Sequence, residues 1–133
     1  MRKVAVLSLC LLALTACSPQ PARATTSIQA TLSESAIQPG MWRIPGGQQI
    51  TLIISNIGSE NHTWVLLKDP PTEPFGADDE PNILFQVALG PAETRTVEFL
   101  APAAPGEYSV ASSTPGDLEK GMVARVVVVQ PGY

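Results

Sequence analysis

Histidine, cysteine and basic side chains are scarce in this sequence. The only histidine among its 133 residues is His62, and the only cysteines are Cys10 and Cys17. Eight lysines and arginines stand against 12 acidic residues, which gives a net charge of −4. Because nucleic-acid binding requires clustered lysine and arginine to replace phosphate counterions, this balance argues against a nucleic-acid partner.

The sequence also lacks a convincing helical period of hydrophobic residues over about 11 or more positions. Short runs that alternate apolar and polar residues are present instead, separated by turn residues. The clearest is QITLIISN at residues 49–56, and further strands are predicted at residues 28–32, 41–44, 61–66, 83–88 and 94–100 and in a hairpin at residues 106–129. About seven or eight short strands with frequent turns predict an all-β fold, an antiparallel β-sandwich.

The most apolar run lies at the N-terminus, where Arg2 and Lys3 precede an uncharged segment at residues 4–14. This layout is typical of a signal peptide, because the segment is too short to span a membrane stably; a bare transmembrane helix is the alternative. The following LTAC, which ends at Cys17, resembles a bacterial lipobox. The resemblance implies cleavage after residue 16 and lipidation of Cys17.

Such processing predicts three regions: a signal peptide at residues 1–16, a lipidated and flexible tether at 17–26, and one domain at 27–133. Removal of residues 1–16 leaves 117 residues with 6 basic and 12 acidic side chains, a charge of −6. Membrane attachment is therefore expected through the lipid on Cys17 and not through a basic surface. We expect an extracytoplasmic, membrane-anchored lipoprotein.

The hairpin at residues 106–129 contains a patterned loop with the sequence Y-x3-S-x2-P-G-D-x3-G-M. Its defined positions are Tyr108, Ser112, Pro115, Gly116, Asp117, Gly121 and Met122. This pattern resembles the copper-ligand loop of the cupredoxins, whose azurin- and auracyanin-like members have Y-x3-C-x2-P-G-H-x3-G-M. The segment NHTWVL at residues 61–66 is similar to the H-N-W/F-V-L strand of that family. The resemblance covers residues 38–130 and implies a Greek-key cupredoxin-like sandwich.

Carried over by position, the copper ligands of that family correspond to His62, Ser112, Asp117 and Met122. Ser112 stands at the cysteine position and Asp117 at the second histidine position. A type 1 copper centre depends on its soft thiolate ligand, and a serine hydroxyl is a poor substitute. The resemblance therefore implies a degenerate site that has lost type 1 copper electron transfer.

Three hypotheses for this site remain open. The first is a non-blue copper or zinc site at His62, Asp117 and Met122 with Glu119 nearby, although zinc sites generally use at least three protein ligands. The second is hydrolysis, because Ser112, His62 and Asp117 are the residue types of a catalytic triad. The third is that these side chains replace a metal cross-link with hydrogen bonds.

We favour the third hypothesis, in which the protein is a binding or accessory module, with an envelope or respiratory assembly as its partner by family analogy. No catalytic residue and no cofactor are expected, and copper is the metal that the resemblance would allow. Residues 69–81, DPPTEPFGADDEP, contain four prolines and five acids and no base, which predicts a solvated loop in preference to a calcium site. Trp42 and Trp64 are predicted to be core and rim aromatics.

Overall fold

Nine β-strands form two facing sheets in the computed structural model, which describes residues 23–132. The predicted signal peptide, Cys17 and the tether up to residue 22 lie outside the described residues. The strands are β1 Ser27–Leu32, β2 Ile37–Gln38, β3 Met41–Pro45, β4 Gln49–Asn56, β5 His62–Leu67, β6 Ile83–Leu89, β7 Thr94–Leu100, β8 Gly106–Ala111 and β9 Val123–Val129. Two short 3₁₀ helices complete this part of the chain, at Ala77–Asn82 and Leu118–Lys120.

The strands are ordered β2-β1-β4-β7 in the first sheet and β3-β9-β8-β5-β6 in the second. This arrangement confirms the predicted all-β sandwich. Each sheet also contains one parallel pair, β1 with β4 and β3 with β9, so both sheets are mixed and not purely antiparallel. Hydrophobic alternation determines which face of a strand is buried, but it does not determine the neighbour or its direction, which depend on tertiary packing.

Alternating apolar side chains from both sheets form the core between them. On β4, Ile50, Leu52 and Ile54 are fully buried, as their period of two requires. Trp64 on β5 is also fully buried, and its ring lies 5.7 Å from the ring of Trp42 in an edge-on contact. Both tryptophans belong to the main core cluster, so the predicted core position is confirmed and the predicted rim position is wrong.

The segment at residues 69–81, which we call the acidic loop, covers a second apolar cluster on the outer face of the second sheet. Phe75 packs there against buried residues that include Val65 and Leu67. The sequence had predicted a solvated loop, and this prediction is wrong for Phe75, which packs against the cluster. Asp79 of the loop is buried too. The carboxylate is hydrogen-bonded there by the backbone N–H groups of Thr72 (2.8 Å) and Gly76 (2.9 Å).

Burial alone would raise the pKa of the Asp79 carboxyl group. The N–H groups of Gly76 and Thr72 and the Thr72 hydroxyl outweigh this effect, and they hold the pKa below its ordinary value of 3.8. Asp79 therefore fixes the acidic loop as a buried carboxylate acceptor.

One end of the sandwich, which we call the His62 end, is where β1 and β4 finish and β5 begins. Leu32 pairs with Asn56 at the ends of β1 and β4, and His62 pairs with Leu89. The Asn56 amide joins these elements by donating to the carbonyl groups of Glu60 (2.8 Å), Leu89 (3.3 Å) and Gly90 (3.0 Å). Within residues 23–132, no helix has the length and apolar character needed to span a membrane.

Candidate functional site

The loop between β8 and β9 brings its polar side chains back over the start of β5. A turn closed by the Asp117 N–H and the Thr114 carbonyl, at 3.0 Å, precedes the 3₁₀ helix. Gly116 and Gly121 have φ angles of +88° and +94°, which L-amino acids with side chains rarely adopt. The glycines that the sequence places around Asp117 therefore allow the loop to fold back towards His62.

Asp117 bonds directly to two of the other predicted site residues. Its Oδ2 lies 2.6 Å from Nδ1 of His62 and also accepts a hydrogen bond of 2.6 Å from the Ser112 hydroxyl. All three side chains are buried. The hydrogen-bonded alternative stated from the sequence is thus present, and the carboxylate lies between the histidine and the serine.

The Ser112 oxygen also accepts backbone donors, as the hydrogen-bonded alternative required. The Thr63 N–H donates to it at 3.2 Å, and the Thr63 hydroxyl lies 3.3 Å away. Thr63 in turn accepts a hydrogen bond from the Ser113 N–H at 2.6 Å, and their hydroxyl groups lie 2.9 Å apart. The hydroxyl groups of Ser112, Thr63 and Ser113 therefore join β5 to the loop.

Glu34, in the connection between β1 and β2, is a site residue that the sequence did not predict. Its Oε2 lies 3.6 Å from Nε2 of His62, on the opposite side of the ring from Asp117. The carboxylate accepts a hydrogen bond from the Ser59 N–H, which holds the pKa of Glu34 below its ordinary value of 4.5 despite some desolvation. No sequence signal marks this residue, because its position depends on how β1 packs beside β4.

Met122 is fully buried within the main core cluster. Its carbonyl accepts from the Ser112 N–H at 3.2 Å, and its own N–H donates to the Asp117 carbonyl at 3.2 Å. Glu119 is exposed on the 3₁₀ helix. Met122 is thus built into the same loop as Ser112 and Asp117, while Glu119 lies at the surface.

A family model described as "Cupredoxin-like domain" matches residues 5–125 of the chain. The chain belongs to this family. The comparison with curated protein sequences found no match.

Several solved structures are similar to this cupredoxin-like domain. Reduced auracyanin from the photosynthetic bacterium Roseiflexus castenholzii is 28% identical, over 80% of this chain and 99% of that one, with a TM-score of 0.67. Auracyanin A, a "blue" copper protein from Chloroflexus aurantiacus, is 24% identical over 77% and 98%, with a TM-score of 0.64. Rusticyanin from Thiobacillus ferrooxidans is 17% identical over 80% and 79%, with a TM-score of 0.55, and shows a shared fold.

The donor atoms of this cupredoxin-like domain do not fit a type 1 copper ion. Two ligands that share one metal, each about 2.05 Å from it in tetrahedral geometry, lie about 3.3 Å apart. His62 Nδ1 and Asp117 Oδ2 are 2.6 Å apart, which is a hydrogen-bond distance. Within residues 23–132, no group of three or more histidine, cysteine, aspartate or glutamate side chains could hold a metal ion.

The hydrolytic alternative does not fit the geometry either. In a catalytic triad, histidine lies between serine and the acid and receives the serine proton. Here Asp117 lies between Ser112 and His62, and the serine donates directly to the carboxylate. Ser112 is also fully buried, so a substrate would have no access to its oxygen.

Two buried polar atoms of this network have no hydrogen-bond partner among the described residues. They are Nε2 of His62 and Oδ1 of Asp117. Buried polar groups are nearly always hydrogen-bonded, often through water. Nε2 of His62 and Oδ1 of Asp117 can therefore each form one more hydrogen bond.

Proposed function

We propose that this protein is an extracytoplasmic, membrane-anchored lipoprotein whose cupredoxin-like domain has lost type 1 copper electron transfer and acts as a binding or accessory module. The observation that carries the proposal is the contact of 2.6 Å between His62 Nδ1 and Asp117 Oδ2. It replaces a metal cross-link between β5 and the β8–β9 loop with a hydrogen bond. The partner is a protein of the cell envelope or of a respiratory assembly.

Metal titration of the full-length protein in non-ionic detergent tests this function. Cu(II) and Zn²⁺ are added separately, and binding is followed by calorimetry in a buffer that does not chelate metals. We expect no submicromolar site, because Ser112 supplies no thiolate and Asp117 occupies His62 Nδ1. Submicromolar binding that disappears in His62→Ala would disprove the metal-free function.

The alternative function is copper or zinc handling through a non-blue site at His62, Asp117 and Met122. The observation that favours it is the unpaired and buried Oδ1 of Asp117, since a buried carboxylate oxygen without a donor is an acceptor for a cation or a water molecule. Met122→Leu and Met122→Ala separate the roles of this residue. If its sulfur binds the metal, both variants lose affinity for the metal. If Met122 only fills the core, Met122→Leu retains that affinity.

The lipid anchor rests on the LTAC sequence and on the charge of the chain. Metabolic labelling with palmitate in a bacterial host is expected to label the protein and to fail in Cys17→Ala. Cys10→Ala is the matched control, because Cys10 lies within the predicted signal peptide and its loss leaves the acceptor in place. Equal labelling of Cys17→Ala and the unaltered protein would contradict the anchor.

A further inference from the structure

A cavity of about 500 Å³ lies on the outer face of the second sheet, next to the loop that carries Ser112 and Asp117. We call it the Ser113 cavity. It is lined by Phe75, Gly76, Ala77 and Glu80 of the acidic loop, by Ile83 and Gln86 of β6, and by Ser113. None of these residues belongs to the hydrogen-bonded contact between His62 and Asp117.

Apolar side chains form one part of the cavity wall. Phe75 and Ile83 are partly buried and pack against the second apolar cluster, which includes Val65 and Leu67. Asp79 holds the loop in this position through three hydrogen bonds, including one of 2.8 Å from the Thr72 hydroxyl. The apolar wall is therefore part of the packed structure and is formed before any ligand binds.

Negative charge and hydrogen-bond acceptors form the other part. Glu80 and Gln86 are exposed at the cavity, and the acidic loop contains five acids and no base. Among the ion pairs within residues 23–132, none involves the acidic loop. Glu80 is the only charged side chain that lines the cavity, and it makes the local potential negative.

Ser113 is held in place at the cavity by Thr63. Its N–H donates to the Thr63 hydroxyl oxygen at 2.6 Å, and its own hydroxyl lies 2.9 Å from that oxygen. The Thr63 hydroxyl is in turn 3.3 Å from Ser112, which donates to Asp117. The cavity thus contains a positioned hydroxyl group that belongs to the same network as the degenerate metal site.

We propose that the Ser113 cavity binds the alkylammonium group of a lysine side chain from a partner protein. A lysine has an apolar four-carbon stem, which suits the wall formed by Phe75 and Ile83. Its ammonium is a compact charge with three N–H donors, and side-chain oxygens of Glu80, Gln86 and Ser113 can accept hydrogen bonds from them. An anionic or purely apolar group would leave the negative charge at the cavity without a counterpart.

This inference extends the proposed role as a binding module by naming the chemistry of the partner, but it does not depend on whether the His62 site binds metal. A positive metal titration would overturn the metal-free function and leave the lysine site untested by that result. A negative result with lysine would overturn the lysine site and leave the metal titration unaffected. The two experiments therefore fail independently.

The probe is Nα-acetyl-lysine methylamide, which keeps its side-chain ammonium. It is added to the ¹⁵N-labelled full-length protein in non-ionic detergent, and binding is followed by the amide chemical shifts of the protein. N-acetyl-norleucine methylamide is the matched ligand, because it has a similar stem without the ammonium. We expect saturable shifts at Gly76, Ala77 and Ser113, with the norleucine compound binding about fivefold more weakly. Added salt is expected to weaken the binding of lysine but not of norleucine.

Glu80→Lys tests the charge, with Glu98→Lys as its matched control on the opposite sheet. Both glutamates are exposed, and each substitution changes the net charge of the protein by the same amount. Glu80→Lys is expected to weaken the lysine compound about tenfold, and Glu98→Lys to change it less than about twofold. Equal binding of the lysine and norleucine compounds, equal effects of the two variants, or the absence of saturable shifts would each overturn the proposal.

Discussion

Nδ1 of His62 lies 2.6 Å from Oδ2 of Asp117, although the two residues are 55 positions apart in the sequence. Both side chains are buried, and Asp117 also accepts the hydroxyl proton of Ser112. A contact of this kind ties the first residue of β5 to the loop before β9. The cupredoxin-like domain is thereby closed at its His62 end by polar side chains of its own.

The first prediction concerns the stability that this contact provides. Asp117→Ala removes the acceptor of both His62 and Ser112 and leaves two buried polar groups unpaired. We expect the free energy of unfolding to fall by about 3 kcal/mol or more, as measured by urea denaturation. Glu119→Ala, two residues further along the same loop and exposed, is expected to change it by less than about 0.5 kcal/mol. Similar losses in the two variants would contradict a stabilising role for the contact.

The second prediction is that the scaffold can bind copper once its ligands are restored. Ser112→Cys combined with Asp117→His replaces the buried hydroxyl and carboxylate with a thiolate and an imidazole, next to His62 and Met122. We expect Cu(II) to give this variant the visible absorption of a blue-copper centre. Ser112→Ala combined with Asp117→His is the control, since it lacks the thiolate. Absence of the absorption in a folded cysteine variant would mean that the loop no longer places these positions around a metal.

The third prediction concerns the acidic loop and pH. Asp79→Asn is expected to lower the free energy of unfolding at pH 7 by about 1–3 kcal/mol, because a buried carboxylate acceptor of three hydrogen bonds is lost. The pKa of Asp79 is lower in the folded protein than its ordinary value of 3.8. The stabilisation is therefore complete above about pH 3.8 and is lost as the pH falls through the folded pKa.

Urea denaturation at neutral and acidic pH measures this dependence. The difference between Asp79→Asn and the unaltered protein is expected to shrink below pH 3.8. Asp78→Asn is the matched control, because its side chain is exposed in the same 3₁₀ helix and its loss is expected to cost less than about 0.5 kcal/mol at pH 7. A difference for Asp79→Asn that is independent of pH would contradict the role of its charge.

The fourth prediction concerns the backbone of the β8–β9 loop. Gly121 has a φ angle of +94°, and Gly121→Ala is expected to destabilise the protein by about 1–2 kcal/mol through backbone strain. Gly40→Ala is the control, because Gly40 does not adopt such an angle and a Cβ added there meets no atom within 4 Å. Thermal denaturation compares the two variants. Equal midpoints would contradict strain at Gly121.

Much of the strand pattern could be predicted from the sequence, because alternation and turn residues are local signals. The bounds of β4 and β7 match the predicted residues 49–56 and 94–100. The two-residue strand β2 at Ile37–Gln38 is too short to show a period. The parallel pairs were not predicted either, since they join strands that are distant in the sequence.

The candidate site was only partly predictable. The spacing of the β8–β9 loop placed Ser112, Asp117 and Met122 in one motif, and the resemblance added His62. Glu34 was missed, because it reaches the site through tertiary packing and is not part of a motif. Thr63 lies in the NHTWVL segment, but its contact with Ser112 was not predicted. The metal role of His62, Asp117 and Met122 remains a prediction.

The direction of β1 determines at which end of the domain the described chain enters. β1 runs parallel to β4 and finishes at the His62 end, so the described chain enters the domain at the far end, about 20 Å away. Nine residues lie between Cys17 and Ser27, and the ten Cα-to-Cα steps from one to the other can span at most about 35 Å. A protein anchored through Cys17 would therefore be attached at the end of the domain opposite Glu34, His62 and the β8–β9 loop, and the tether would not have to cross that end.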